Sequence, residues 1–83
     1  MSFLEAYTDK LSHWYENDFI GPVDVTNAAE SLDLSRLTVW SYLKRNGKNV
    51  NTAEEIYNYF KSVVDARRER LEKDEILKDY SHT

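Results

Sequence analysis

The sequence predicts an all-α fold, a single four-helix domain spanning residues 1–83. Three observations carry that expectation. Apolar residues recur at spacings of three and four, the period of a helix with one buried face. Residues that cap helix N-termini stand ahead of those runs. No stretch alternates in the period of a strand, and no internal repeat is visible.

Ser2-Phe3-Leu4-Glu5 has the form of a capping box, with Ser2 as N-cap of a first helix. Phe3, Tyr7, Leu11 and Trp14 form its inner stripe, widened by Leu4 and Tyr15. The helix should stop near Asp18, ahead of the breaker Gly21-Pro22, with Phe19 and Ile20 tucking the connector against the core. Asp24 is placed to cap a short second helix whose Val25, Ala28, Ala29 and Leu32 face inward. At Asp33 the chain must turn, and Asp tolerates the left-handed conformation.

Ser35 caps a third helix starting at Arg36, and Asn46-Gly47 is expected to end it in the left-handed conformation. Thr52 with Glu55 forms a capping box for a long C-terminal helix from about residue 53. Its inner stripe is Ile56, Phe60, Val63 and Val64, continuing to Leu71 and Ile76. The charged tail, residues 74–83, is expected to fray at its end.

Composition narrows the class. A chain of 83 residues is close to the lower size at which one core suffices, and 41% hydrophobic content is enough to build it. The absence of cysteine excludes a disulfide framework or a thiolate metal site. No apolar run approaches the roughly 20 residues that cross a bilayer. MSFLEAYTDK lacks the basic start and apolar stretch of a secretory signal, so the protein is read as cytoplasmic.

Net charge is −4, but it is unevenly spread. Residues 1–24 hold one base against five acids, and residues 53–83 hold six against eight. Residues 25–52 reverse the balance, with four bases against two acids and no carboxylate between Asp33 and Glu54. A local basic face is the usual footprint of a nucleic-acid site, and the acidic flanks count against a general DNA coater.

A short helix, a tight turn and a second helix with a polar start form the helix-turn-helix pattern, here over residues 24–47. Ala29 supplies the small residue that lets two helices approach, and Leu34 plugs the turn. If Val39, Tyr42 and Leu43 face inward, then Leu37, Ser41 and Lys44 face outward at 100° per residue. Trp40 and Arg45 flank that outer stripe, and Arg36 sits at the helix start. The predicted architecture is thus a helix-turn-helix core between an N-terminal packing helix and a long C-terminal helix.

The stretch from Asp24 to Lys44 resembles the DNA-binding headpiece of the lac repressor family. Ala29, the aliphatic-Ser turn Leu34-Ser35 and the pair Thr38-Val39 match features of that family. The following G-K-N-V-N-T-A-E-E-I is similar to the family's loop into its third helix, and the resemblance covers roughly residues 24–62. It implies base contacts from Arg36, Leu37 and Ser41, and phosphate contacts from Ser35 and Thr38. Asp33 stands where the family usually has Gly, and Leu37 and Trp40 are larger and more apolar than is usual there. The family's hinge and sugar-binding domain have no counterpart in these residues.

The expected function is sequence-specific binding of double-stranded DNA, as a small transcriptional regulator of bacterial, phage or plasmid type. Its site comprises Ser35, Arg36, Leu37, Thr38, Trp40, Ser41, Lys44, Arg45 and Lys48, with the last three adding backbone attraction. A homodimer through the C-terminal helix is expected, because one such module makes few contacts. The alternative is a protein-binding helix-turn-helix module, an antirepressor, phage-type inhibitor or accessory subunit, with Leu37 and Trp40 as interface anchors. In that alternative the acidic remainder contacts a basic protein or mimics nucleic acid. The plainest reading of Arg36, Lys44, Arg45 and Lys48 is a solvated helix face. Arg67-Arg68-x-Arg70, interleaved with Asp65, Glu69 and Glu72, reads as exposed i,i+4 pairing. Tyr57 and Tyr59 read as packing residues.

No enzyme constellation is expected. His13 and His82 lack the partners of a metal site, His13 flanking the first helix and His82 lying in the tail. Only Gly21 and Gly47 are present, too few for a phosphate-cradling loop. Neither cofactor nor metal is expected.

Overall fold

Ser2 is the N-cap of α1 (Phe3–Glu16), its hydroxyl accepting the Glu5 amide at 3.1 Å. The computed structural model describes the backbone of residues 2–81 and the side chains of residues 2–70. Among these residues there are four helices and no strand, so the fold is all-α. α1 ends where Asp18 takes a left-handed conformation (φ 63°) and the Phe19 amide folds back to the Trp14 carbonyl at 2.8 Å. The stop thus falls near Asp18, as expected, with Asn17 as C-cap and the left-handed turn made by Asp18 before Gly21-Pro22 is reached.

α2 (Pro22–Leu32) begins three residues earlier than expected. Pro22 occupies the first helical position, where its missing N–H costs nothing. Asp24 is not the N-cap; it lies inside the first turn and reaches back to accept the Gly21 amide at 2.7 Å. Asp33 turns the chain with φ 55° and ψ 45°, and the Leu34 amide satisfies the Ala29 carbonyl at 2.9 Å. α3 (Arg36–Leu43) then starts from Ser35, whose Oγ accepts the Thr38 amide at 3.1 Å.

The end of α3 differs from expectation. Arg45, not Asn46 or Gly47, is the left-handed residue, with φ 65°. The Asn46 and Gly47 amides both return to the Ser41 carbonyl, at 2.7 and 3.2 Å. α4 (Val50–Ser81) also starts early, because Asn49 Oδ1 accepts the amides of Asn51 and Thr52 at 2.9 and 3.1 Å. Asn49 therefore caps α4 in place of the expected Thr52. The helical backbone continues into the charged tail as far as Ser81, and residues 82–83, at the end expected to fray, lie outside the described residues.

α1 packs on α3 and α4, and α2 packs on the same two helices. The shared core holds Leu11, Trp14, Ile20, Val25, Ala28, Ala29, Val39, Tyr42, Leu43, Ala53, Ile56, Phe60 and Val64. Val39, Tyr42 and Leu43 face inward as the 100° geometry requires. The α1 stripe, however, is rotated. Phe3 is 77% exposed, while Thr8 and Ser12 are buried with Leu11 and Trp14. The two hydroxyls are sheltered without loss, Thr8 Oγ1 donating to the Leu4 carbonyl at 3.0 Å and Ser12 Oγ to the Leu43 carbonyl at 2.6 Å. Ile20 is buried, but its neighbour Phe19 remains partly exposed under the Arg68 guanidinium. Tyr57 stacks on Trp14 and, with Tyr59, packs on the core as expected. Trp14 Nε1 is buried without a hydrogen-bond partner. Leu71 and Ile76 lie outside the described side chains.

Candidate functional site

With Val39, Tyr42 and Leu43 committed to the core, the opposite face of α3 is left to solvent. Arg36 and Leu37 occupy its first turn, and Leu37 is 82% exposed. Leu37 thus faces outward, as the helical period leads one to expect. Ser41 and Lys44 continue the same outward stripe, Ser41 half-buried and Lys44 exposed. Lys48 lies in the α3–α4 connector, also exposed. Among the described residues, Arg36, Lys44 and Lys48 have no carboxylate within ion-pair distance.

The other expected site residues are more occupied. Ser35 and Thr38 hydrogen-bond each other through their hydroxyls at 2.8 Å. Ser41 Oγ donates to the Thr38 carbonyl at 2.7 Å. Trp40 is half-buried, its ring edge-on to Tyr15 at 5.1 Å between centroids, with Lys44 Nζ 5.8 Å above it. Arg45 leaves the stripe altogether. Its Nε donates to Asp9 Oδ1 on α1 at 2.8 Å, each side chain being about half exposed. The first amides of α3, at Arg36 and Leu37, have no partner one turn back, which leaves the helix start electropositive.

Two ion pairs were not foreseen from the sequence. One is Asp9–Arg45; the other joins Asp24 of α2 to Arg67 of α4. Arg67 Nη2 and Nη1 donate to Asp24 Oδ1 and Oδ2 at 2.6 and 2.9 Å, and Nη1 also reaches the Phe19 carbonyl at 2.7 Å. The Arg67 hydrogen bonds hold the Asp24 carboxyl below its ordinary value, against an opposing effect of burial and with help from the Gly21 amide. The same contact raises the Arg67 guanidinium further above its usual value. Arg67 is thus not one of the exposed i,i+4 pairs; the i,i+4 pair seen on α4 among the described residues is Lys61–Asp65, at 4.0 Å, whose lysine was not among the residues expected to pair. Each unforeseen pair links residues from different helices, 36 and 43 positions apart, so no local pattern could have signalled it.

Among the described residues no cluster of three or more His, Asp or Glu is arranged to hold a metal ion, and no helix is long and apolar enough to cross a membrane. His13 is exposed on α1, its Nδ1 3.2 Å from Asn17 Nδ2, and His82 lies outside the described residues. No family model matches the chain, and no curated protein or solved structure matches it.

Proposed function

We propose that the protein binds double-stranded DNA sequence-specifically, with α2, the Asp33 turn and α3 acting as a helix-turn-helix and α3 entering the major groove. One observation carries the reading. The outward face of α3 is open and holds Arg36, Lys44 and, just beyond it, Lys48 without a carboxylate partner among the described residues, in a protein of net charge −4. In this reading Arg36 is the base-reading cation, Ser35 and Thr38 stand at the helix start beside a phosphate, and Lys44 and Lys48 add backbone attraction. Ser41 lies one turn further along the same stripe. The protein would serve as a transcriptional regulator, and a homodimer through α4 would supply the second half-site.

The protein-binding alternative draws on the exposure of Leu37. Its second anchor, Trp40, is already packed against Tyr15, which leaves no tryptophan free for a partner. DNA therefore has the better support.

The deciding measurement is binding to a duplex selected from a random pool, titrated with salt. Three or four phosphate contacts give log K a slope of about −3 against log salt. Arg36→Ala should weaken the selected duplex by about 1–3 kcal/mol and relax preference at one base pair. Failure to bind any duplex at low salt would end this reading in favour of the protein partner.

A further inference from the structure

We infer that Leu37 reads the C5 methyl group of a pyrimidine in the major groove, so that the selected sites carry thymine, or 5-methylcytosine, at that position. The inference rests on the DNA reading above and specifies its substrate. Leu37 is the most exposed of the large hydrophobic residues among the described side chains, at 82%. Its apolar neighbours along the helix are not part of the same free surface. Leu34 and Trp40, three positions to either side, are half-buried and packed on the core. Trp40 is further covered by the Tyr15 ring and by Lys44. What remains along α3 is one exposed leucine sharing the outward face with Arg36, Ser41 and Lys44, whose charges suit a polyanion.

That setting selects the occupant. A specific protein interface needs about 800 Å² a side with an apolar centre, which a single leucine sharing its helix face with Arg36 and Lys44 does not provide. In the major groove, by contrast, the thymine methyl is the one apolar group a base pair presents, and one aliphatic side chain matches it. Leu37 is also in the first turn of α3, next to Arg36, where recognition helices place their base-reading residues. The methyl read by Leu37 should therefore lie beside the base contacted by Arg36.

Deoxyuridine differs from thymidine by that methyl group alone, which makes the test specific. In the duplex that the intact protein selects, each thymine is replaced in turn by uracil and affinity is measured by fluorescence anisotropy. Wild type should lose about three- to sixfold at one position, the size expected for burying one methyl group. Leu37→Ala should bind the thymine duplex correspondingly more weakly and no longer distinguish thymine from uracil there. Its melting temperature should match wild type, since Leu37 is 82% exposed and lies outside the buried core. If wild type selects a site yet binds every uracil duplex as well as its parent, the inference fails while the DNA reading stands. If no duplex is selected at all, both fall together.

Discussion

Gly47 shows how a single residue can be required for its lack of a side chain alone. Its backbone is not left-handed, since the positive-φ residues are Asp18, Asp33 and Arg45. A methyl group on Gly47 would instead overlap the Tyr42 ring, which is buried and whose hydroxyl accepts the Asn49 amide at 3.0 Å. The ring cannot move without uncovering the core and releasing the residue that caps α4. Gly47→Ala should therefore cost about 1–3 kcal/mol in urea denaturation, as overpacking does. Gly47→Asn discriminates between the two causes, because Asn tolerates a left-handed backbone but is bulkier than Ala. It should be at least as destabilising as Gly47→Ala; an Asn variant close to wild type would mean that conformation, not space, dictates the glycine. The sequence marks Asn46-Gly47 as the end of α3, and the helix does end near there. What it hides is which residue turns, because Arg45 takes up the strained conformation while Gly47 is reserved for the tyrosine behind it.

At the scale of elements, local chemistry was legible in part, and long-range chemistry was not legible at all. The caps expected at Asp24 and Thr52 fall instead at Gly21 and Asn49. Ser2 and Ser35 cap α1 and α3 because a cap is settled within four residues of chain. The inward faces of α2 and α3 were legible for the same reason. The face of α1 was misplaced because counting only apolar positions omits Thr8 and Ser12, whose hydroxyls find acceptors and can be buried. The Asp24–Arg67 contact lies wholly outside such reasoning. It joins the start of α2 to α4 and also ties down the Phe19 carbonyl of the connector. Since the Asp24 side chain is only 11% exposed, Arg67→Ala leaves a largely buried carboxylate with the Gly21 amide alone, at a cost of about 1–3 kcal/mol. The pH dependence follows from the depressed Asp24 carboxyl. Its contribution is complete above the unfolded value near about 4 and is lost as pH falls through the lower folded value. The melting-temperature advantage of wild type over Asp24→Asn should thus be constant from neutral pH to about 5 and shrink below about 4. A gap unchanged down to pH 2 would show that the charge of Asp24 is not what holds α2 to α4.

Over the whole molecule, folding redraws the charge map that the sequence suggests. The acid-free window from residue 34 to residue 53 is basic on paper, with Arg36, Lys44, Arg45 and Lys48. In three dimensions α1 brings Asp9 onto Arg45, so one of the four cations is paired with a carboxylate. Because both side chains are about half exposed, the pair contributes less than about 1 kcal/mol to stability. Its larger consequence, on the proposed function, would be for phosphate. A guanidinium already paired with a carboxylate would release no net counterion from DNA, and Asp9 would repel the backbone that Lys44 and Lys48 would attract. On the proposed function, Asp9 restrains binding to arbitrary sequence and leaves the base-reading residues to decide where the protein sits. Asp9→Asn should then tighten binding to a random duplex several-fold at low salt and steepen the salt slope by about one, while shifting the melting temperature little. Arg45→Gln, which leaves Asp9 unpaired, should weaken binding to the random duplex. In the Asp9→Asn background it should return affinity to near the wild-type value, since the local charge is then the same. Equal affinities and equal slopes for wild type and Asp9→Asn, in a protein that does bind duplex, would place Arg45 too far from the DNA for its charge to count.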